Sequence, residues 1–201
     1  MSVTPTSHEA VVRRADFSTL CEALDYAAGG KTGVNFFDGR GTLYSTTPYG
    51  ELRDQAIALA RRLAGLGIEP GGRVALVADT TPDFVRFFWA CQYAGLVPVP
   101  LPATVNIGGH AAYVSQLRQL LLNCRASAAM APGPWLGFLH EAAEGLDLRL
   151  AGGPEDFDGV EPCGAELPGV TPDSTAYIQY TSGSTRFPRG VVIDQKTVMA
   201  N

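Results

Sequence analysis

Thr181-Ser182-Gly183-Ser184-Thr185-Arg186-Phe187-Pro188-Arg189-Gly190 is the stretch of this 201-residue chain whose residue types could do chemistry. Its first six positions hold four hydroxyls, one glycine and an arginine, and a second arginine follows at 189. Small residues let a backbone close on a ligand and turn successive N–H groups toward one anion. Hydroxyls add donors that rotate onto phosphate oxygens. Arg186 or Arg189 can supply charge-assisted, bidentate bonds to the same group. The combination suits a polyphosphate, and an ordinary Ser/Gly-rich hairpin loop is the competing reading of the same composition.

Other chemistry is excluded by spacing. A Walker A loop would need glycine at 188, where the chain has Pro188. A GxGxxG fingerprint fails after Gly39-Arg40-Gly41 because Tyr44 holds the last position. A nucleophile elbow around Ser182 would need glycine at 180, where Tyr180 stands. Cys21, Cys91, Cys124 and Cys163 form no CxxC pair, so no zinc or redox site is expected and free, mostly buried thiols in a reducing cytoplasm are. His8, His110 and His140 have no partner at ligand spacing, Asp83, Glu141 and Glu144 read as caps and solvated faces, and Asp194 and Lys196 read as surface residues.

The elements that would position the loop follow from periodicity and punctuation. Residues 1–15 read as a flexible leader. A helix is predicted from Phe17 to Ala28, stopped by Gly29-Gly30, followed by a hairpin of strands 34–37 and 42–45 around Asp38-Gly39-Arg40-Gly41. Thr47-Pro48 predicts a capped helix start, with Leu52, Ala56, Leu59, Ala60, Leu63 and Leu66 on one face. Arg73–Ala78 reads as a buried strand, and Thr81-Pro82 as a second capped start for a helix that is apolar nearly all round and packs between layers. Val97-Pro98-Val99-Pro100 is a strand that its prolines confine to an edge or a strand end. Beyond it come a helix over 113–123, a strand over 126–131, a helix over 135–143, a strand over 146–150, and a surface loop over 152–174. Strands at 175–180 and 191–193 flank the hydroxyl-rich segment. The alternation predicts an α/β fold with a layered, largely parallel sheet flanked by helices.

Composition agrees with a folded chain: 46% of residues are hydrophobic and only 17% charged. The formal charge is −5, and Arg13-Arg14 and Arg61-Arg62 are isolated pairs read as solvated helix faces. No nucleic-acid partner is therefore expected. No stretch approaches the ~18 apolar residues of a membrane span, and the first twenty residues have no secretory apolar core.

The loop also resembles a known family. Tyr180-Thr181-Ser182-Gly183-Ser184-Thr185, then Pro188-Arg189-Gly190-Val191, is similar to the YTSGSTGxPKGV phosphate loop of the adenylate-forming superfamily. That superfamily includes acyl-CoA synthetases, nonribosomal-peptide adenylation domains and luciferases. Leu43-Tyr44-Ser45 through Gly50-Glu51-Leu52 is similar to its LTYxEL segment, and Gly71-Gly72-Arg73-Val74-Ala75-Leu76 to its GDRVAL strand. Cys91 through Pro102 resembles its AGxVxVPL stretch, while Gln179 and Val99-Pro100-Leu101-Pro102 look most like the fatty acyl-AMP ligase branch. Arg186 stands where most members carry glycine and Arg189 where most carry lysine, which puts the nucleotide geometry in question but not the family.

The resemblance implies the N-terminal subdomain of the acyl-adenylate-forming fold, with residues 16–201 forming the first part of a large AMP-binding domain. It also implies a longer parent chain whose C-terminal domain and adenine-binding motifs lie further on, so that this piece folds but does not catalyse alone. The implied reaction joins a carboxylate, such as a fatty acid, to ATP, giving acyl-AMP and pyrophosphate with Mg²⁺ sharing the phosphate charge. The acyl group then passes to a phosphopantetheine thiol of an acyl carrier protein, or to coenzyme A in the rival acyl-CoA synthetase reading. Carried onto this sequence, Thr181, Ser182, Ser184 and Thr185 contact the β/γ-phosphates, Gly183 and Gly190 serve backbone shape, and Arg189 is the catalytic charge partner. A non-catalytic nucleotide-binding module is the rival of another class.

Overall fold

A computed structural model describes residues 16–104, 109–181 and 188–200. The leader read over 1–15 lies outside the described residues, as do Ser182, Gly183, Ser184, Thr185 and Arg186.

Helix α1 (Leu20–Ala28) is capped by the Thr19 hydroxyl, which accepts from the Glu22 amide at 3.2 Å. Strands β1 (Gly33–Phe37) and β2 (Leu43–Pro48) form the expected antiparallel hairpin. Its turn is set by Asp38, whose carboxylate accepts from the Thr42 and Arg40 amides at 2.8 and 2.9 Å. Those two bonds, the one from Thr42 first, hold the Asp38 carboxyl below the usual range.

The capped helix start at Thr47-Pro48 is not what forms. Thr47 pairs with Val34 and Pro48 with Gly33 inside the β-ladder, so helix α2 (Tyr49–Gly65) begins one residue later without a side-chain cap. Pairing to a strand outcompeted a local cap signal. The apolar face of α2 is as expected, with Leu52, Ala56, Leu59, Ala60 and Leu63 buried.

The main sheet is parallel throughout. Strands β3 (Arg73–Ala78), β4 (Val97–Pro102), β5 (Ala126–Met130) and β6 (Ala151–Gly152) lie in the order β4-β3-β5-β6. Alternation along β3 sends Val74 and Leu76 to one face and Ala75 and Val77 to the other. On the first face they meet α2 and helix α3 (Pro82–Tyr93). On the second they meet helices α4 (Gly109–Cys124) and α5 (Gly133–Ala143). The result is the layered α/β architecture that the alternation of patterns predicts. Helix α3 is capped as expected, with the Thr81 hydroxyl accepting from the Phe84 amide at 3.3 Å.

Strand β4 is an edge for the reason its prolines require. The Val97 amide donates to the Gly72 carbonyl at 2.8 Å. Alternation then turns positions 98, 100 and 102 outward, where a missing N–H costs no ladder bond.

Two connections differ from expectation. Residues 146–150 form no regular strand: the Leu148 amide turns back to Leu146 at 3.0 Å, and although the Arg149 amide donates to the Ser127 carbonyl and the Leu150 carbonyl accepts from Ala129, ladder pairing with β5 begins at Ala151. The 152–174 segment is not all surface loop, because a short helix α6 (Pro154–Asp158) drives Phe157 into the core, edge-on to Phe87 at 5.1 Å. The loop is fastened by the pair read as a solvated face. Arg62 donates to the Val160 carbonyl at 2.5 Å and Arg61 to that of Ala165 at 3.2 Å.

This crossing makes a prediction with an unexpected sign. Gly65→Ala removes a helix-weakening residue, which alone adds about 1 kcal/mol. A Cβ at 65 would collide with the carbonyl oxygen of Glu161 in the overlying loop. Gly65→Ala is therefore expected to lower the melting temperature, and a rise in thermal denaturation would overturn this packing.

The last unit is an antiparallel hairpin, β7 (Thr175–Thr181) and β8 (Arg189–Asp194), followed by helix α7 (Gln195–Met199). Asp194 caps α7 by accepting from the Thr197 amide at 2.8 Å, and Lys196 pairs with Asp173 at 2.7 Å. The four cysteines are free. Burial pushes the Cys21 thiol up to about 12 and the Cys124 thiol up to about 11, so both are protonated near neutrality. His110 is satisfied by Glu141 at 2.8 Å. Among the described residues no helix is long and apolar enough to cross a membrane.

Candidate functional site

The hydroxyl-rich segment is carried by the tip of the β7–β8 hairpin. Thr181 is the last residue of β7, Arg189 the first of β8, and the register places them directly opposite each other. Both are exposed. Arg189 has no ion-pair or hydrogen-bond partner among the described residues, so its charge is not spent on the fold. Ser182, Gly183, Ser184 and Thr185, the other residues expected to bind, lie between these two and outside the described residues.

Three contacts hold the hairpin in place. Ile178 joins the core face shared by β4 and α4. The Tyr180 hydroxyl donates to Asn123 Oδ1 near the end of α4 at 2.6 Å. At the hairpin's base, Gln92 donates to the Ala176 carbonyl at 2.7 Å, and Gln195 donates to Gln92 Oε1, also at 2.7 Å. The Leu20 amide completes that chain by donating to Gln195 Oε1 at 2.9 Å. Both glutamines are fully buried. Ala176 needs this donor because the β7–β8 register slips between Thr175 and Tyr177, leaving it without a β8 partner.

Gly190 has no left-handed backbone, but it is closely packed. A Cβ there would sit 3.0 Å from Ile178 Cγ2 and 3.3 Å from the Tyr180 ring. A side chain at 190 would have to push Ile178 or the Tyr180 ring that reaches Asn123 aside by a few tenths of an ångström.

Burial, with Cys124 adding to it, pushes the Tyr180 hydroxyl up to about 12. Burial does the same for Tyr113. A raised folded pKa favours folding below the unfolded value of 10.0 and withdraws that support as pH rises through the folded value. Stability is therefore expected to fall between pH 10 and about 12. The decline should be shallower in Tyr180→Phe, measured by urea unfolding across that range. Equal slopes in both proteins would refute the assignment.

The hairpin tip stands at the carboxyl ends of the parallel strands. A groove of about 420 Å³ is lined there by Ala78 at the end of β3, by Pro100, Leu101 and Pro102 at the end of β4, by Leu120 of α4, and by Gln179, Thr181 and Pro188 of the hairpin. A neighbouring groove of about 430 Å³ runs along α4 past Ser115, Gln119 and Asn123 and meets it at Gln116, Leu120 and Pro188. Open α/β sheets bind ligands at this end. The Thr181 hydroxyl lining a largely apolar groove, with the Arg189 cation paired across from it, can hold a phosphate next to an apolar group.

Sequence reading missed the anchors. Nothing in the sequence pairs Asn123 with Tyr180. Gln92 gave one signal, as an uncharged amide in a helix apolar apart from Asp83 and Arg86, and Gln195 gave none.

The chain belongs to the AMP-binding enzyme family, whose model matches residues 27–201. Over all 201 residues it is 44% identical to a Caulobacter vibrioides protein that carries a provisional acyl-CoA synthetase name, covering 35% of that relative. It is 33% identical to a long-chain-fatty-acid–AMP ligase of Mycolicibacterium smegmatis, with 72% of this chain and 23% of that one aligned. A structure from a study of fatty acyl-adenylate ligases of E. coli and L. pneumophila superposes with a TM-score of 0.87 at 42% identity, over 94% of this chain and 34% of that one. The chain thus spans about a third or less of the length of these relatives.

Proposed function

We propose that this chain supplies the phosphate-loop portion of an enzyme that activates a fatty acid with ATP, forming acyl-AMP and releasing pyrophosphate. The acyl group then passes to the phosphopantetheine thiol of an acyl carrier protein. The observation that carries this reading is the pairing of Thr181 with Arg189 across the hairpin tip, with Thr181 lining the groove at the carboxyl ends of β3 and β4. Family membership and the similarity to a fatty acyl-adenylate ligase structure support it.

The chemistry asks for little proton transfer. A carboxylic acid is ionised near pH 7, far above its pKa, and needs no base. The enzyme must instead bring two anions together, align attack on the α-phosphorus and stabilise charge on the departing pyrophosphate. Thr181, Ser182, Ser184 and Thr185 would donate to the β/γ-phosphates, with Arg189 as the cation and Gly183 and Gly190 keeping the backbone close. Hydroxyl oxygens such as that of Thr181 suit a hard divalent ion, and ATP brings Mg²⁺, which neutralises charge developing on the phosphates. The groove past Pro100, Leu101 and Leu120 offers the acyl group an apolar wall. Four free thiols suit a reducing compartment, in keeping with a cytoplasmic enzyme.

The test is product analysis with the complete enzyme. ATP and a fatty acid should yield acyl-AMP and pyrophosphate, and added carrier protein, but not coenzyme A, should take the acyl group. Formation of acyl-CoA would favour the acyl-CoA synthetase reading, which the Caulobacter relative supports. No adenylate from any carboxylate, with ATP still bound, would leave a nucleotide-binding module.

A further inference from the structure

We infer that Arg73 and Arg125 form a second anion site, one that takes a phosphate group and is separate from the hydroxyl-rich loop. Arg73 opens β3, and the register places it opposite Ala126, the residue after Arg125. Both arginines thus stand at the amino ends of the parallel strands, whereas Thr181 lines the groove at the carboxyl ends. They line a groove of about 310 Å³ together with Asn123 and Cys124 of α4 and Ile178 and Val192 of the hairpin.

Four observations give this groove an occupant of definite chemistry. Neither arginine has an ion-pair or side-chain hydrogen-bond partner among the described residues, and no carboxylate lines the groove. Arg125 is the one non-glycine among the described residues with a left-handed backbone, at φ 50. Glycine would take that conformation at lower cost, so an arginine there holds its cation at the groove's edge against local strain. Asn123 accepts from Tyr180 through its oxygen, which leaves its amide N–H groups free to donate. The charge of Arg73 also reaches the groove wall, where it opposes the upward shift of the Cys124 and Tyr180 acids.

Two guanidiniums and an amide donor match a dianion better than a single carboxylate, which one arginine would neutralise. Phosphate and its esters are the anions of that charge and geometry. The Ile178 and Val192 side chains beside the cations leave an apolar wall for an organic group attached to the phosphate.

The site is tested on the 201-residue chain by calorimetric titration with inorganic pyrophosphate and with AMP, read alongside the arginine Nε resonances. Arg125→Gln, at an exposed position, and Arg73→Lys, which keeps the charge but not the fork, should each weaken binding by about tenfold or more. The binding counted is the event that moves the Arg73 and Arg125 Nε resonances, since pyrophosphate also engages the hydroxyl-rich loop under the adenylation reading. Arg149→Gln, an exposed cation outside the groove, is the control for bulk charge. Tighter binding of AMP than of pyrophosphate would identify an organic phosphate, and the reverse an inorganic one. Undiminished binding in both groove variants, or an equal loss in Arg149→Gln, would overturn the site without touching the adenylation reading.

Discussion

Replacing Arg189 with alanine in the complete enzyme should lower ATP–pyrophosphate exchange by about 10²–10³-fold while leaving the melting temperature unchanged. The size follows from the work asked of the residue. Charge grows on the β/γ-phosphates as the α-phosphorus bond breaks, and a preorganised cation acting there is typically worth that factor. The lack of a stability effect follows from geometry, because the Arg189 side chain is exposed and has no partner among the described residues. Arg189→Lys should retain most of the exchange, since lysine keeps the charge but loses bidentate donation. Thr181→Ala, directly across the hairpin, should lose a hydroxyl donor and reduce exchange severely as well. Exchange near the parent rate in Arg189→Ala would remove the loop from the proposed chemistry.

Gln92→Leu should destabilise the fold by about 2–4 kcal/mol, lowering the melting temperature by roughly 5–15 °C. Leucine fills a similar volume, so the loss would not come from a cavity. It comes from two groups left dry and unpaired: the Ala176 carbonyl, which has no ladder partner at the β7 irregularity, and the Gln195 amide, which is fully buried. Gln195→Leu should cost a comparable amount by stranding Gln92 and the Leu20 amide. The double variant should cost less than the sum, because each single change already breaks their shared bond. Strict additivity in chemical denaturation, or unchanged melting in Gln92→Leu, would show that the amide pair is not what ties the hairpin to α1 and α3.

These cases also show where sequence is legible. Signals that are complete within a few residues carried through: the Thr81 cap, the buried run of β3, the outward prolines of β4 and the strands on either side of the loop. Thr47-Pro48 carried the same local signal as Thr81-Pro82. It failed because β1 offered Thr47 a ladder partner, which is a fact about residues 33–37. The 146–150 segment had strand-like apolar content, yet the turn at Leu148 delays ladder pairing with β5 until Ala151 and Gly152. Phe157 sat unnoticed among Gly, Pro, Asp and Glu, and only the opposing Phe87 ring gives it a reason to turn inward. At the site, Thr181, Arg189 and Gly190 were legible as residue types. Their support from Asn123, Gln92 and Gln195 was not, because single amides gain meaning only from what faces them.

The prolines of β4 have a consequence for how the molecule comes apart. Because positions 98, 100 and 102 offer no N–H, β7 lies beside β4 without a hydrogen-bonded seam between them. The hairpin and the four-stranded sheet are therefore expected to open as separate cooperative units, joined by packing, by the Tyr180–Asn123 bond and by the amide relay. Backbone amides of β7 and β8 are expected to exchange with solvent before those of β3 and β5, so Thr181 and Arg189 stand on the unit that opens first.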